Sequence, residues 1–120
     1  MAWYRSRKKQ SSGGISFVTA LTSGVVSTNS AYATATFNDI SSYKYVFVRV
    51  YDTVDNVDYS NVIMFDISKM GSGVSFSLTL HRAVTFNLTT SSIKTTYYGG
   101  AYYYIYADVF VTNDEILPQS

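Results

Sequence analysis

His81 is the single histidine of the chain, and there is no cysteine. Zinc sites draw on several imidazole or thiolate ligands, so one chain of this composition cannot assemble a His- or Cys-based metal centre, and a thiol nucleophile is excluded with it. His81 stands beside Arg82 at the end of an alternating apolar run. The sequence places no nucleophile or orienting carboxylate next to it, and a structural histidine is the better reading. Asp52, Asp55 and Asp58, with Asn56 among them, recur every three residues and carry the oxygen ligands that calcium takes. The spacing lacks the glycine and closing glutamate of an EF-hand loop, which favours a solvated polar hairpin loop. Glu115 is the only glutamate, seven residues beyond Asp108. A glycosidase needs two carboxyls across a cleft, and this pair is expected in a strand and the tail after it. Asn87-Leu88-Thr89 fits the glycosylation pattern but is read as incidental without a secretion signal. The chain is therefore not read as an enzyme, and no metal or cofactor is nominated.

Binding chemistry is better represented. Residues 1–14, Met-Ala-Trp-Tyr-Arg-Ser-Arg-Lys-Lys-Gln-Ser-Ser-Gly-Gly, hold four of the nine basic side chains and no acid, whereas residues 15–120 hold all eight acids and five bases. Arg5, Arg7, Lys8 and Lys9 can meet phosphates, with Trp3 and Tyr4 stacking on bases, but four charges on a near-neutral chain are a weak nucleic-acid footprint. A short basic stretch without a lipid or amphipathic helix binds membranes only marginally. Docking into a protein groove fits better: Trp3 and Tyr4 anchor, the four bases meet acidic rims, and Ser11-Ser12-Gly13-Gly14 spans to the body.

Tyrosine is the second feature, with 12 residues, six of them between Tyr97 and Tyr106. Gly99-Gly100 can supply the positive φ values of a two-residue hairpin, which predicts two paired strands carrying Tyr97, Tyr98, Tyr102, Tyr103, Tyr104 and Tyr106. Tyrosine buries a large ring and keeps a hydroxyl for a partner. Three roles stay open for this surface: amphipathic strand former, subunit interface, and platform for glycan rings.

The elements that must position these residues have period two. Val74, Phe76, Leu78 and Leu80 alternate with Ser75, Ser77 and Thr79; Val84, Phe86 and Leu88 alternate with Thr85 and Asn87. His81-Arg82-Ala83 between them leaves a tight turn or a bulged continuous strand open. Over 43–53, Val46, Val48 and Val50 share one face and Tyr45, Phe47, Arg49 and Tyr51 the other, which predicts a strand covered on both sides. Further strands are expected at 15–22, 31–37, 61–67, 93–97 and 102–112, and at most one helical turn at 66–69. Short turns rich in Gly, Asn, Asp and Ser separate these runs. The fold class is all-β: about eight strands in an antiparallel β-sandwich, jelly-roll-like, with an extended N-terminal arm. Residues 1–14 form the arm and linker, and 15–120 the sandwich domain.

A hydrophobic content of 47% with a net charge of +1 excludes a disordered chain. The basic start is followed by polar residues where a signal peptide needs an apolar stretch, and no run is long and apolar enough to span a membrane. The expectation is a soluble product of a reducing compartment, or one exported by being packed into something larger.

The start Met-Ala-Trp-Tyr-Arg-Ser-Arg-Lys-Lys, the Ser/Gly linker and the Thr/Ser/Tyr-rich body ending near Tyr-Ile-Tyr-Ala-Asp-Val-Phe-Val together resemble small bacteriophage virion proteins, the fibre, decoration and tail-tip modules. Ile40-Ser-Ser-Tyr-Lys-Tyr-Val-Phe-Val-Arg-Val resembles a strand-after-loop phrase common in such modules. The resemblance implies attachment to a capsid or tail by the N-terminal peptide, outward display of a sandwich, often as a trimer, and residence in the virion after synthesis in the host cytoplasm. It implies no catalytic residue. A carbohydrate- or receptor-binding module using exposed tyrosines is the alternative. Collagen-like and coiled-coil shafts are absent from the sequence, which disfavours a long fibre.

Overall fold

Alternation of Val46, Val48 and Val50 with Phe47, Arg49 and Tyr51 gives a ten-residue strand, because β-branched and aromatic side chains fit a pleated surface. In the computed structural model, which describes residues 15–99 and 102–116, this strand is the third of eight. The strands are β1 Val18–Ser27, β2 Thr34–Thr36, β3 Tyr45–Val54, β4 Val57–Asp66, β5 Val74–Thr79, β6 Ala83–Leu88, β7 Ser92–Tyr97 and β8 Ile105–Thr112. The expected helical turn is a 3-10 turn at Ile67–Lys69, opened by the Asp66 carboxylate, which accepts from the Ser68 N–H.

Asp55 and Asn56 join β3 to β4 with φ of 53° and 63°, the left-handed pair that a two-residue hairpin of type I′ requires. Ten successive partners follow without a bulge, from Val54 opposite Val57 to Tyr45 opposite Asp66. The strands form two antiparallel four-stranded sheets, ordered β1-β8-β3-β4 and β2-β7-β6-β5. Between them Val46, Val48, Val50, Val109 and Ile105 meet Phe76, Val84, Phe86, Leu88 and Ile93 in one buried cluster. Both edge strands of the first sheet are long, but they differ: β1 shifts register three times against β8, whereas β4 runs straight.

Two sequence expectations resolve here and one is corrected. His81-Arg82-Ala83 is a tight turn, closed by the Leu80 N–H donating to the Arg82 carbonyl at 3.0 Å, with Thr79 paired to Ala83. The strand expected over 93–97 is β7. The hairpin predicted at Gly99-Gly100 does not form, because β7 pairs with β2 and β6 in one sheet and β8 pairs with β1 and β3 in the other. The segment is a crossover between sheets. Tyr98 explains why: its side chain is fully buried and its N–H donates to the Tyr32 hydroxyl at 2.6 Å, so its backbone is committed away from a ladder with β8. Gly99 has φ of 57°. Residues 1–14, and so the anchor arm, lie outside the described residues, as does Gly100.

Candidate functional site

Two surfaces and one buried cluster gather the chemistry-bearing residues. The cluster closes one end of the sandwich. Asp52 continues the inward series Val46, Val48, Val50, so the alternation of β3 carries a carboxylate into the core, 2% exposed. The Tyr98 hydroxyl donates to Asp52 Oδ2 at 2.7 Å. The Tyr98 ring packs on Tyr103 at 5.4 Å, Tyr103 meets His81 edge-on at 5.9 Å, His81 meets Tyr59 at 5.7 Å, and Tyr59 is the cross-strand partner of Asp52. Asp52 Oδ1 and His81 Nδ1 are buried with no hydrogen-bond partner among the described residues. Burial pushes the Asp52 carboxyl above its ordinary value, partly offset by the Tyr98 hydrogen bond and by His81. Burial, then the hydrogen bond to Asp52, raises the Tyr98 phenol. The Asp52–Tyr98 bond ties β3 to the crossover, a structural lock at this end of the sandwich.

The aspartates at 52, 55 and 58 do not converge. Asp52 points inward, Asp55 sits in the turn, and Asp58 accepts from the Thr53 hydroxyl at 2.6 Å. Glu115 and Asp108 are also separately engaged, Glu115 with Lys44 at 2.8 Å and Asp108 with Arg49 at 3.1 Å.

The six tyrosines proposed as one surface are divided. Tyr98 belongs to the core, which removes it from any surface, and Tyr103 packs against that core. Tyr97, Tyr102 and Tyr104 are exposed. Tyr102 leans on Tyr32 at 4.9 Å, while Tyr104 and Tyr106 stack at 6.2 Å and Tyr106 stacks on Tyr51 at 5.7 Å. Stacked rings cover one another's faces, so a sugar can reach a ring face at the end of this ladder but not within it.

The outer faces of the two sheets are chemically opposite. Across the β2-β7-β6-β5 sheet run rows such as Thr34, Lys94, Asn87 and Ser75. Across the β1-β8-β3-β4 sheet the rows are Thr19, Phe110, Phe47 and Met64; Asp108, Arg49 and Val62; and Val25, Tyr106, Tyr51 and Ser60. Phe17 adds an edge-on contact to Phe47 at 5.2 Å, and a recess of about 410 Å³ opens among Phe17, Thr19, Phe47, Arg49, Val62 and Phe110. Val62 is 57% exposed and Phe17 46%. The expectation that β3 is covered on both sides therefore fails on this side, since no described strand crosses Phe47, Arg49 and Tyr51. The outward row of β3 is visible in its own alternation, whereas its partners on β4 and β8 follow only from register, a tertiary property.

Asp108 organises the centre of that face. It accepts from the Ser23 N–H at 2.7 Å, the Tyr51 hydroxyl at 3.3 Å and Arg49 Nη1 at 3.1 Å, while the Arg49 guanidinium lies 4.4 Å from the Tyr51 ring centre. The expected anchoring residues Trp3, Tyr4, Arg5, Arg7, Lys8 and Lys9 lie outside the described residues. Where the described chain begins, it is fastened at two points: the Ser16 N–H donates to Asp114 Oδ2 at 2.8 Å, and the Thr112 hydroxyl donates to the Ser16 carbonyl at 2.8 Å.

No protein-family model, curated protein or solved structure matches this chain.

Proposed function

We propose that the protein is a structural or accessory component of a phage particle, held to capsid or tail by residues 1–14 and displaying its sandwich as an oligomer. The observation that carries this reading is the fastening at Ser16. Thr112 ends β8, a central strand, and Asp114 follows two residues later, so tension arriving through the arm passes into the β1–β8 ladder rather than peeling a free end. The arm supplies aromatic anchors and positive charge, the Ser/Gly stretch supplies reach, and the clamp supplies a firm base. The nesting of first with last strand in one sheet and second with seventh in the other supports a jelly-roll-like reading, from which the β3–β4 and β5–β6 hairpins depart.

Deleting residues 2–12 tests the reading. The truncated chain should fold and fail to join particles; normal occupancy of the truncated chain would overturn it. Exposure of Tyr97, Tyr102 and Tyr104 at one end favours glycan or receptor binding as the second reading. A glycan array in which no binding depends on Tyr102 or Tyr104 removes that one.

A further inference from the structure

The sandwich has one wet face and one adhesive face. Ser75, Ser77, Thr85, Asn87, Lys94 and Thr96 face outward from the β2-β7-β6-β5 sheet, and the hydroxyls and the amide bond to one another or to backbone, such as Ser77 with Thr85 at 2.9 Å, Asn87 with Ser75 at 3.4 Å and Thr96 with the Thr85 carbonyl at 3.2 Å. On the opposite sheet the outward positions around the Arg49–Asp108 pair include Phe47, Phe110, Val62, Met64, Tyr51 and Tyr106. A patch of apolar and aromatic side chains this continuous marks an interaction site on a soluble domain. We propose that the outer face of the β1-β8-β3-β4 sheet packs against the same face of a second copy of this chain.

Charge selects that occupant. Among the described residues and away from the strand ends, the only charged residues in the rows of this face are Arg49 and Asp108, directly opposite each other and bonded at 3.1 Å. The face is thus neutral at its centre and does not repel its own copy, as a strongly basic or acidic partner site would. Arg49 has a half-exposed side chain with donors left over, and Asp108 lies beside it. A two-fold axis near this pair sets each arginine over the other copy's aspartate, the self-complementary arrangement of an isologous dimer.

Area agrees. Four strands about 4.8 Å apart and roughly eight residues long at about 3.3 Å per residue project about 500 Å². Pleat and protruding side chains raise the accessible area toward the roughly 800 Å² per partner of a standard interface. The recess beside Phe17 and Phe110 needs a knob, and Met64, 41% exposed on the same face, supplies an unbranched one.

The inference rests on the proposed role as an oligomeric assembly module, but its test is separate, because self-association is read on purified protein without any particle. Sedimentation velocity over a concentration series, with the full chain, Val62→Lys, Met64→Lys, Thr85→Lys on the other sheet, and a chain lacking residues 2–12, decides it. Circular dichroism checks that each folds. The expected result is a dimer that either β4 lysine weakens about tenfold or more, since each places an unpaired charge in an apolar interface. Thr85→Lys and removal of residues 2–12 should leave it intact. A full chain that stays monomeric, a dimer indifferent to both β4 lysines, or one lost when residues 2–12 are removed, which would make the arm the occupant, overturns the proposal.

Discussion

The Ser23 N–H donates to Asp108 Oδ1 at 2.7 Å across the β1–β8 pair, and Ser23 has a φ of 50°, left-handed for a residue with a Cβ. It falls where the register jumps from Leu21 opposite Val109 to Gly24 opposite Ala107. The carboxylate thus holds an edge-strand bulge, while the Ser23 hydroxyl reaches the Tyr51 hydroxyl at 2.6 Å. A bulge interrupts the flat edge that a second strand would otherwise extend.

Asp108→Ala should therefore cost more than a surface ion pair. It removes the acceptor for Ser23, Tyr51 and Arg49 together, and a loss of about 1–3 kcal/mol is expected in urea denaturation. Arg49→Ala, which leaves two of the three bonds in place, should cost less than about 1 kcal/mol.

The buried end of the sandwich gives a second expectation. Tyr98→Phe deletes the donor to Asp52 Oδ2 and leaves both carboxylate oxygens buried without a partner among the described residues. Destabilisation of about 1–3 kcal/mol at neutral pH follows, measured by the same titration.

Acid titration separates Asp52 from the other carboxylates. Burial raises the folded Asp52 value above the ordinary 3.8, so the folded chain binds this proton more tightly than the unfolded chain does. Its contribution to stability is full below the ordinary value and is lost as pH rises through the raised one. Asp39 and Asp66, lowered by the hydroxyls of Ser41 and Ser68, act in the opposite sense, their contribution being lost as pH falls. The difference in unfolding free energy between the natural chain and Asp52→Asn should consequently shift in favour of the variant as pH rises from below 4 toward neutrality. A flat difference curve would show that Asp52 titrates normally.

Gly99→Ala tests the crossover. At φ of 57° a side chain is strained by about 1–2 kcal/mol, and a Cβ there would sit 2.6 Å from Arg82 Cδ. Combining it with Arg82→Ala should recover the steric share and leave the backbone share, which thermal unfolding of the two variants separates.

Much of this architecture was legible from local pattern. The inward valines of β3, the β5 and β6 alternations, the Asp55-Asn56 turn and the single helical turn after Asp66 follow from period and turn chemistry alone. Gly99 misled because a positive-φ glycine serves a hairpin and a crossover equally well, and the choice was made by Tyr98 burying its ring 46 residues from Asp52. Tyrosine spacing likewise could not reveal that Tyr98 and Tyr104 face different surroundings. The aromatic face was half visible: β3 showed Phe47 and Tyr51, but Phe110, Tyr106, Val62 and Met64 join them only once register is fixed.

Particle occupancy tests the central claim, that an aromatic-basic arm carries this sandwich into an assembly, most directly. The comparison sets the natural chain beside Trp3→Ala/Tyr4→Ala and beside a chain with Arg5, Arg7, Lys8 and Lys9 replaced by Gln, each checked for folding. The account predicts that the aromatic double variant falls to the level of the 2–12 deletion while the Gln variant retains partial occupancy. Full occupancy of the aromatic double variant would contradict it.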